Sequence, residues 1–321
     1  MNAKDIRIVF MGTPGFAVES LKALVEGGYN VVAVVTVPDK PAGRGQKVRM
    51  SEVKQYAVEQ GLPTLQPEKL KEPTFVEELA SYKADLQIVV AFRMLPEIVW
   101  NMPAMGTFNL HGSLLPNYRG AAPLNWAIIN GDKQTGVTTF LLKHQIDTGN
   151  LLFQEAIDID LYDNIGTIHD KLMVIGANLV CKTVDALAEG NVTPIDQDKL
   201  IAEGAVSHHA PKIFKADCQV NSDLSVMDFH NKVRGLSPYP AAWIEMTDGE
   251  KKHTAKLFAT KPSIEPHHDT VGTVVIDKDM LRVALKDGYV WFEEMQLAGK
   301  KRMKTSQFIN GFRIENQLML S

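Results

Sequence analysis

Cysteine is scarce. The 321 residues hold only Cys181 and Cys218, 37 positions apart and without a Cys-x-x-Cys pair, which excludes a disulfide framework and a zinc ribbon. Long apolar runs are also missing. No stretch of about 18 apolar residues is present to cross a bilayer and no apolar leader follows Met1, so a cytoplasmic protein off the membrane is expected. Neither sign of charge dominates, and a formal net charge of −4 argues against a surface that binds nucleic acid all over. A local basic patch is still allowed: residues 207–321 carry 16 basic side chains against 14 acidic, the preceding part 18 against 24. No internal repeat or low-complexity tract occurs, which excludes solenoids and compositionally disordered chains. The dinucleotide fingerprint is lacking too, since Gly12-x-x-Gly15 has no third glycine and no acidic residue closes the next strand. His208-His209 and His267-His268 lack the spaced Cys or His partners that zinc needs, so no metal is expected.

What is present reads as two globular domains. Ile6 to Met11 predicts a buried strand, followed by a glycine-bearing turn and a helix from Phe16 to Glu26. Strand, turn, helix is the opening of a doubly wound, mostly parallel sheet, an α/β fold. Further strands are expected at Val31 to Val37, Leu86 to Ala91, around Asn109, Gly136 to Leu142 and Leu151 to Ile159. Helices are expected at Pro73 to Tyr82, Pro96 to Trp100, Ala122 to Asn130 and Asn164 to Glu189. Pro38 to Arg49 reads as a long irregular loop with Lys40, Arg44, Lys47 and Arg49 against one acid, Asp39, suited to meeting phosphates. After Gly190 the texture changes. Residues 191–206 read as a connector, and short alternating runs separated by Asp248-Gly249 and Asp287-Gly288 predict a small β-barrel over 207–321. The first domain is then 1–190.

The chemistry concentrates at Phe108-Asn109-Leu110-His111-Gly112-Ser113. On an extended chain Asn109 and His111 share a face, and the strand ends where ligands collect in α/β proteins. Asp147 lies in a turn with Thr148 and Gly149. A carboxamide, an imidazole and a carboxylate suit direct transfer, in which the substrate brings its own nucleophile and the protein stabilises an oxyanion. Asp147 is then expected to orient His111. Ser113 is the one candidate nucleophile, and no Gly-x-Ser-x-Gly elbow presents it.

The run His111 to Pro123, with Ile146-Asp147-Thr148-Gly149, resembles the methionyl-tRNA formyltransferases, a family within the formyltetrahydrofolate-dependent formyltransferases. Phe10 to Pro14, Pro38 to Gly45, Ser237 to Ala241 and Ala298 to Lys301 extend the resemblance along essentially the whole chain. It implies a Rossmann-like transferase domain and an OB-like barrel, with Asn109, His111 and Asp147 as catalytic residues. The implied donor is 10-formyltetrahydrofolate, lying along Ser113, Leu114, Leu115 and Pro116 with its pterin near Phe92, Met94 and Leu95. The implied acceptor is initiator methionyl-tRNA, met by Arg44, Lys40, Lys47 and Arg49 and by Lys212, Arg234, Lys300 and Lys301, the protein acting as a monomer. The chain departs from the family pattern at Phe92-Arg93-Met94, where Arg93 is a candidate for the folate's glutamate tail. Rival readings are a formyltransferase acting on glycinamide ribonucleotide or a sugar nucleotide, and an RNA-binding protein with an inactive transferase domain.

Overall fold

The computed structural model describes residues 1–42, 47–277, 279–311 and 318–320. Apolar runs become the inner strands. Ile8–Gly12 (β1), buried along its whole length, turns into helix α1 (Gly15–Glu26), which buries Phe16, Ala17, Leu21 and Leu24. Val31–Val35 (β2) follows. Lys40–Ala42 (β3) and Lys47–Arg49 (β4) then pair antiparallel, with Lys40 opposite Arg49. The segment expected as an irregular loop thus contains an antiparallel strand pair, 40–42 with 47–49: cross-strand pairing satisfies backbone groups that an open loop leaves to water. Its base is tied down by Asp39, whose carboxyl is held below the usual range by hydrogen bonds from Lys54 and Gln66. Arg44 lies outside the described residues, as does the Lys47 side chain.

Helix α2 (Glu52–Glu59) begins where the Ser51 hydroxyl accepts from the Lys54 N–H, a side-chain N-cap. Next come β5 (Thr64–Leu65), α3 (Pro73–Ser81), β6 (Leu86–Val90), α4 (Glu97–Trp100), β7 (Thr107–His111) and β8 (Arg119–Gly120). Then follow α5 (Pro123–Ile129), β9 (Gln134–Leu141), β10 (Leu151–Asp158), α6 (Ile165–Glu189) and α7 (Gln197–Ala202). The sheet order is β10-β9-β7-β6-β1-β2-β5. Pairing is parallel from β5 through β7, and β9 runs antiparallel to β7. The chain works outward from β1 through β2 to β5, then returns to β6 on the other side, the reversal that opens a crevice at strand ends.

The chain forms two compact units. One comprises Met1–Gly120, Gly136–Ile157 and His169–His209, and the other Ala121–Thr135, Asp158–Ile168 and Ala210–Ser321. Helix α5 and the segment entering α6 therefore cluster with the carboxyl-terminal residues. That second unit contains α8 (Val226–Leu236), β12 (Ala242–Asp248), β13 (Lys251–Ile264), β14 (Thr273–Asp277) and β15 (Met280–Leu285), after the short β11 (His209–Ala210). Strands β16 (Gly288–Leu297), β17 (Met303–Lys304) and β18 (Leu318–Leu320), with helix α9 (Thr305–Gly311), complete it. Six strands close into a barrel in the order β13-β12-β18-β14-β15-β16, because β16 also pairs with β13. Asp248-Gly249 makes the β12–β13 turn, where Gly249 takes a φ of +61°. Inside, Phe229 of α8 stacks on Phe292 with ring centroids 6.2 Å apart, among Val233, Leu236, Ile244, Leu257 and Val290. Among the described residues no helix is long and apolar enough to cross a membrane.

Candidate active site

Strand β7 carries Asn109, half-buried, and His111, 7 % exposed, at alternate positions and hence on one face. Asn109 pairs in register with Val89 of β6 and Phe140 of β9, and His111 with Thr138. After His111 the chain doubles back. Ser113 Oγ donates to the Asn117 carbonyl at 2.6 Å, and the Ser113 carbonyl accepts from Thr138 Oγ1 at 2.6 Å. Gln154 Nε2 donates to the Leu115 carbonyl at 2.8 Å. The returning turn brings the Tyr118 carbonyl to 2.9 Å from His111 Nε2. A carbonyl only accepts, so Nε2 carries a hydrogen there and Nδ1 is the ring nitrogen left for chemistry.

Asp147 arrives by an indirect route. Because β9 is antiparallel to β7, its last residue, Leu141, pairs with Phe108 near the start of β7 rather than with His111. The following loop folds back, and Asp147 Oδ2 comes to 3.9 Å from His111 Nδ1. Asp147 takes a φ of +56°, and its Oδ2 accepts from the Gly120 N–H at 3.0 Å. His111 and Asp147 are therefore brought close together, with one correction. The imidazole is oriented by the Tyr118 carbonyl, not by Asp147, whose carboxylate stands beyond hydrogen-bond distance.

A residue that sequence reading passed over completes the arrangement. The stretch 191–206, read as a plain connector, contains α7, and its Gln197 is fully buried. Gln197 Nε2 donates to the carbonyls of Asp147 and Gly149, at 2.9 and 2.7 Å. Asp196, whose side chain caps α7 by accepting from Asp198 N, is the signal that could have revealed this helix. Nothing in the sequence ties Gln197 to the Asp147 loop.

The other expected site residues divide. Ser113 is fully buried and Leu115 is 2 % exposed, packed with Phe140 and Leu151. These two shape the turn and offer no surface to a ligand, which corrects the expectation that both line a folate site. Pro116 is buried with them, and Leu114 is half-buried. Near Phe92, half-buried, Met94 is 74 % exposed and Leu95 packs into the core with Val99. Arg93 is not free for a glutamate tail: its guanidinium donates to the carbonyls of Pro67 and Glu68 at 2.7 and 3.0 Å. Lys40, Arg49, Lys212, Lys300 and Lys301 are exposed. Arg234 is corrected. At 6 % exposure it donates to the carbonyls of Asp160 and Asp163 and to Asn231, so it is an internal tie rather than a phosphate contact. A cavity of about 410 Å³ is lined by Leu65, Gln66, Glu68, Glu72, Phe75 and Glu78, among others, and none of the trio borders it.

Comparison with known proteins completes the picture. Residues 6–184 match the model described as formyl transferase, and residues 212–313 match that of the formyl transferase carboxyl-terminal domain. The methionyl-tRNA formyltransferase of Bacteroides thetaiotaomicron is 55% identical over 318 residues, 98% of each chain. That of Phocaeicola vulgatus is 56% identical over 317 residues, again 98% of each. Among solved structures, a sugar 3N-formyl transferase, WlaRD, studied with dTDP and 5-N-formyl-THF, superimposes with a TM-score of 0.64 at 17% identity, over 92% of this chain and 99% of that one. HypX from Aquifex aeolicus in complex with tetrahydrofolic acid gives 0.62 at 18% identity, over 97% of this chain and 48% of that one. At such identities these two establish a shared fold.

Proposed function

Because the chain belongs to the formyl transferase family, and within it to the methionyl-tRNA formyltransferases, we propose that it moves a formyl group from 10-formyltetrahydrofolate to the α-amine of initiator methionyl-tRNA. Asn109, His111 and Asp147 act at the reacting carbon, and the protein works as a cytoplasmic monomer. The observation that carries this reading is the approach of Asp147 Oδ2 to His111 Nδ1, 3.9 Å, beside the carboxyl end of β7.

The amine attacks the formyl carbon, a C–N bond forms, and the carbonyl electron pair moves onto oxygen. Asn109 Nδ2–H and a protonated His111 Nδ1 donate to that oxygen. As the oxygen's pair returns, the bond to the folate nitrogen breaks. The proton lost by the amine leaves toward Asp147, and the folate nitrogen takes one up. Tyr118 holds the ring at Nε2 so that Nδ1 alone turns to the substrate. No covalent acyl-enzyme is needed. Ser113, the nearest hydroxyl in sequence, is buried and already donating to Asn117.

The pterin lies against Phe92, Met94 and Leu95, with Leu114 facing the donor. Phosphates of the tRNA meet Lys40, Arg44, Lys47 and Arg49 of residues 38–49 and Lys212, Lys300 and Lys301 of the barrel unit. Formylation of charged initiator tRNA by the wild type and by Arg44→Ala tests this. The variant is expected to lose at least about 10-fold in kcat/KM for tRNA, as phosphate contacts dominate such affinity, with folate KM nearly unchanged. Equal losses toward both substrates remove Arg44 from tRNA binding. No transfer by the wild type with both substrates present overturns the function.

A further inference from the structure

We infer that Gln197, in the connector helix α7, is a positioning residue that sets the Asp147 carboxylate for transfer; the inference rests on the role proposed above for Asp147. The Gln197 carboxamide is saturated. Its Nε2 hydrogens go to the Asp147 and Gly149 carbonyls at 2.9 and 2.7 Å, and its Oε1 accepts from Arg119 Nε and Nη2 at 3.0 and 2.8 Å. The direction of the amide is unambiguous, since carbonyls only accept and a guanidinium only donates. Exchanging N for O would set oxygen against oxygen at two contacts.

The loop needs this external hold. Asp147 sits at a φ of +56°, the left-handed region that Asp tolerates better than most side-chain-bearing residues but that is uncommon outside turns. Two residues on, a Cβ at Gly149 would overlap the Leu141 carbonyl oxygen, so the backbone passes there with no room to relax inward. Between these two points Gln197 grips both carbonyls. The carboxylate itself is held by the Gly120 N–H, one residue beyond Arg119. Arg119 and Gly120 thus close a ring: the guanidinium fixes Gln197, Gln197 fixes the Asp147 backbone, and the Gly120 amide fixes the Asp147 side chain.

Helix α7 is itself docked where this ring requires it. Leu200 packs against Leu115, Phe140 and Leu151, and Ile195 pairs with Leu151 through two backbone hydrogen bonds of 2.8 and 2.9 Å. Arg119 also faces Asp198 at 3.8 Å, but that carboxylate is 83% exposed and therefore screened. The buried amide, not the surface ion pair, holds the loop.

The test uses the full-length protein carrying Gln197→Ala or Gln197→Glu. Glu keeps the Arg119 contact but turns an acceptor toward both carbonyls, so it provides a second variant of similar volume. Both are expected to lower kcat about 10- to 100-fold, the scale of a 1 Å misplacement, with the KM for 10-formyltetrahydrofolate changed less than about two-fold. A crystal structure of either variant is expected to have lost the Asp147–Gly120 hydrogen bond. An unchanged kcat overturns the inference, as does an Asp147 carboxylate still seated on Gly120 in both variants. So does a Glu variant with full turnover. Full turnover in Asp147→Asn would instead defeat the role proposed for the carboxylate. The crystal structures separate the two failures, because displacement of the loop is read there without turnover.

Discussion

At the scale of single residues, the site is made of groups with different degrees of freedom. Asn109 and His111 ride on one strand, so their relation is a consequence of the pleat. His111 is held at Nε2 by a backbone carbonyl, leaving only Nδ1 to act. Asn109 is the simplest donor to remove, because it is half-buried and adjoins no other member of the trio in sequence. Asn109→Ala is expected to lower kcat by about 10²–10³, the usual cost of one oxyanion donor, with an unchanged circular dichroism spectrum. His111→Ala and Asp147→Ala are expected to abolish measurable turnover. A loss smaller than about five-fold in Asn109→Ala would remove it from the oxyanion contacts.

At the scale of elements, polar ties decide where segments lie. Arg234, near the end of α8, reaches the Asp160 and Asp163 carbonyls of the segment entering α6, at 3.1 and 3.0 Å, and Asn231 Oδ1 at 2.9 Å. Burial pushes its guanidinium below the ordinary arginine value, with Asp163 acting in the opposite sense. Arg234→Ala strips partners from buried acceptors, each worth about 1–3 kcal/mol when left unpaired. The expected outcome is a lowered urea midpoint, while the salt dependence of tRNA binding keeps its wild-type slope. A reduced slope at full stability would return Arg234 to the phosphate contacts. This position also marks a limit of pattern reading: a basic residue on a helix looks the same in sequence whether it meets solvent or two buried carbonyls.

At the scale of the whole molecule, stability depends on pH through His230. Its Nδ1 meets Thr260 Oγ1 and its Nε2 the Leu161 carbonyl, each at 2.9 Å, and the ring is 2 % exposed. Burial lowers its pKa, outweighing the hydrogen bond to Leu161. With the folded value below the unfolded one, the unfolded chain binds more protons between the two. Stability from this group is present above the ordinary histidine value of about 6.5 and declines on acidification below it, by at most about 1.4 kcal/mol per pH unit. Urea midpoints at pH 7.5 and 5.5 are expected to differ more in the wild type than in His230→Gln. An equal difference in both proteins would assign the acid sensitivity to other groups.

Sequence alone determined the parts whose signal is local. The apolar runs of β1, β2 and β6 read as inner strands, and the Asp-Gly pairs as turns, and the structure has them so. The alternation through Phe108, Asn109, Leu110 and His111 put the carboxamide and the imidazole on one face. Tertiary structure decided everything that depends on register or on long-range hydrogen bonds. The antiparallel pairing of β9 with β7 sends the Asp147 loop out at the wrong end and obliges it to fold back, which no pattern in residues 134–150 announces. Closure of the barrel needs β18, three residues long, to insert between β12 and β14. The partners of His111 Nε2 and Gln197 Nε2 are backbone carbonyls, identical in every residue, so only folding could select which of them these nitrogens meet.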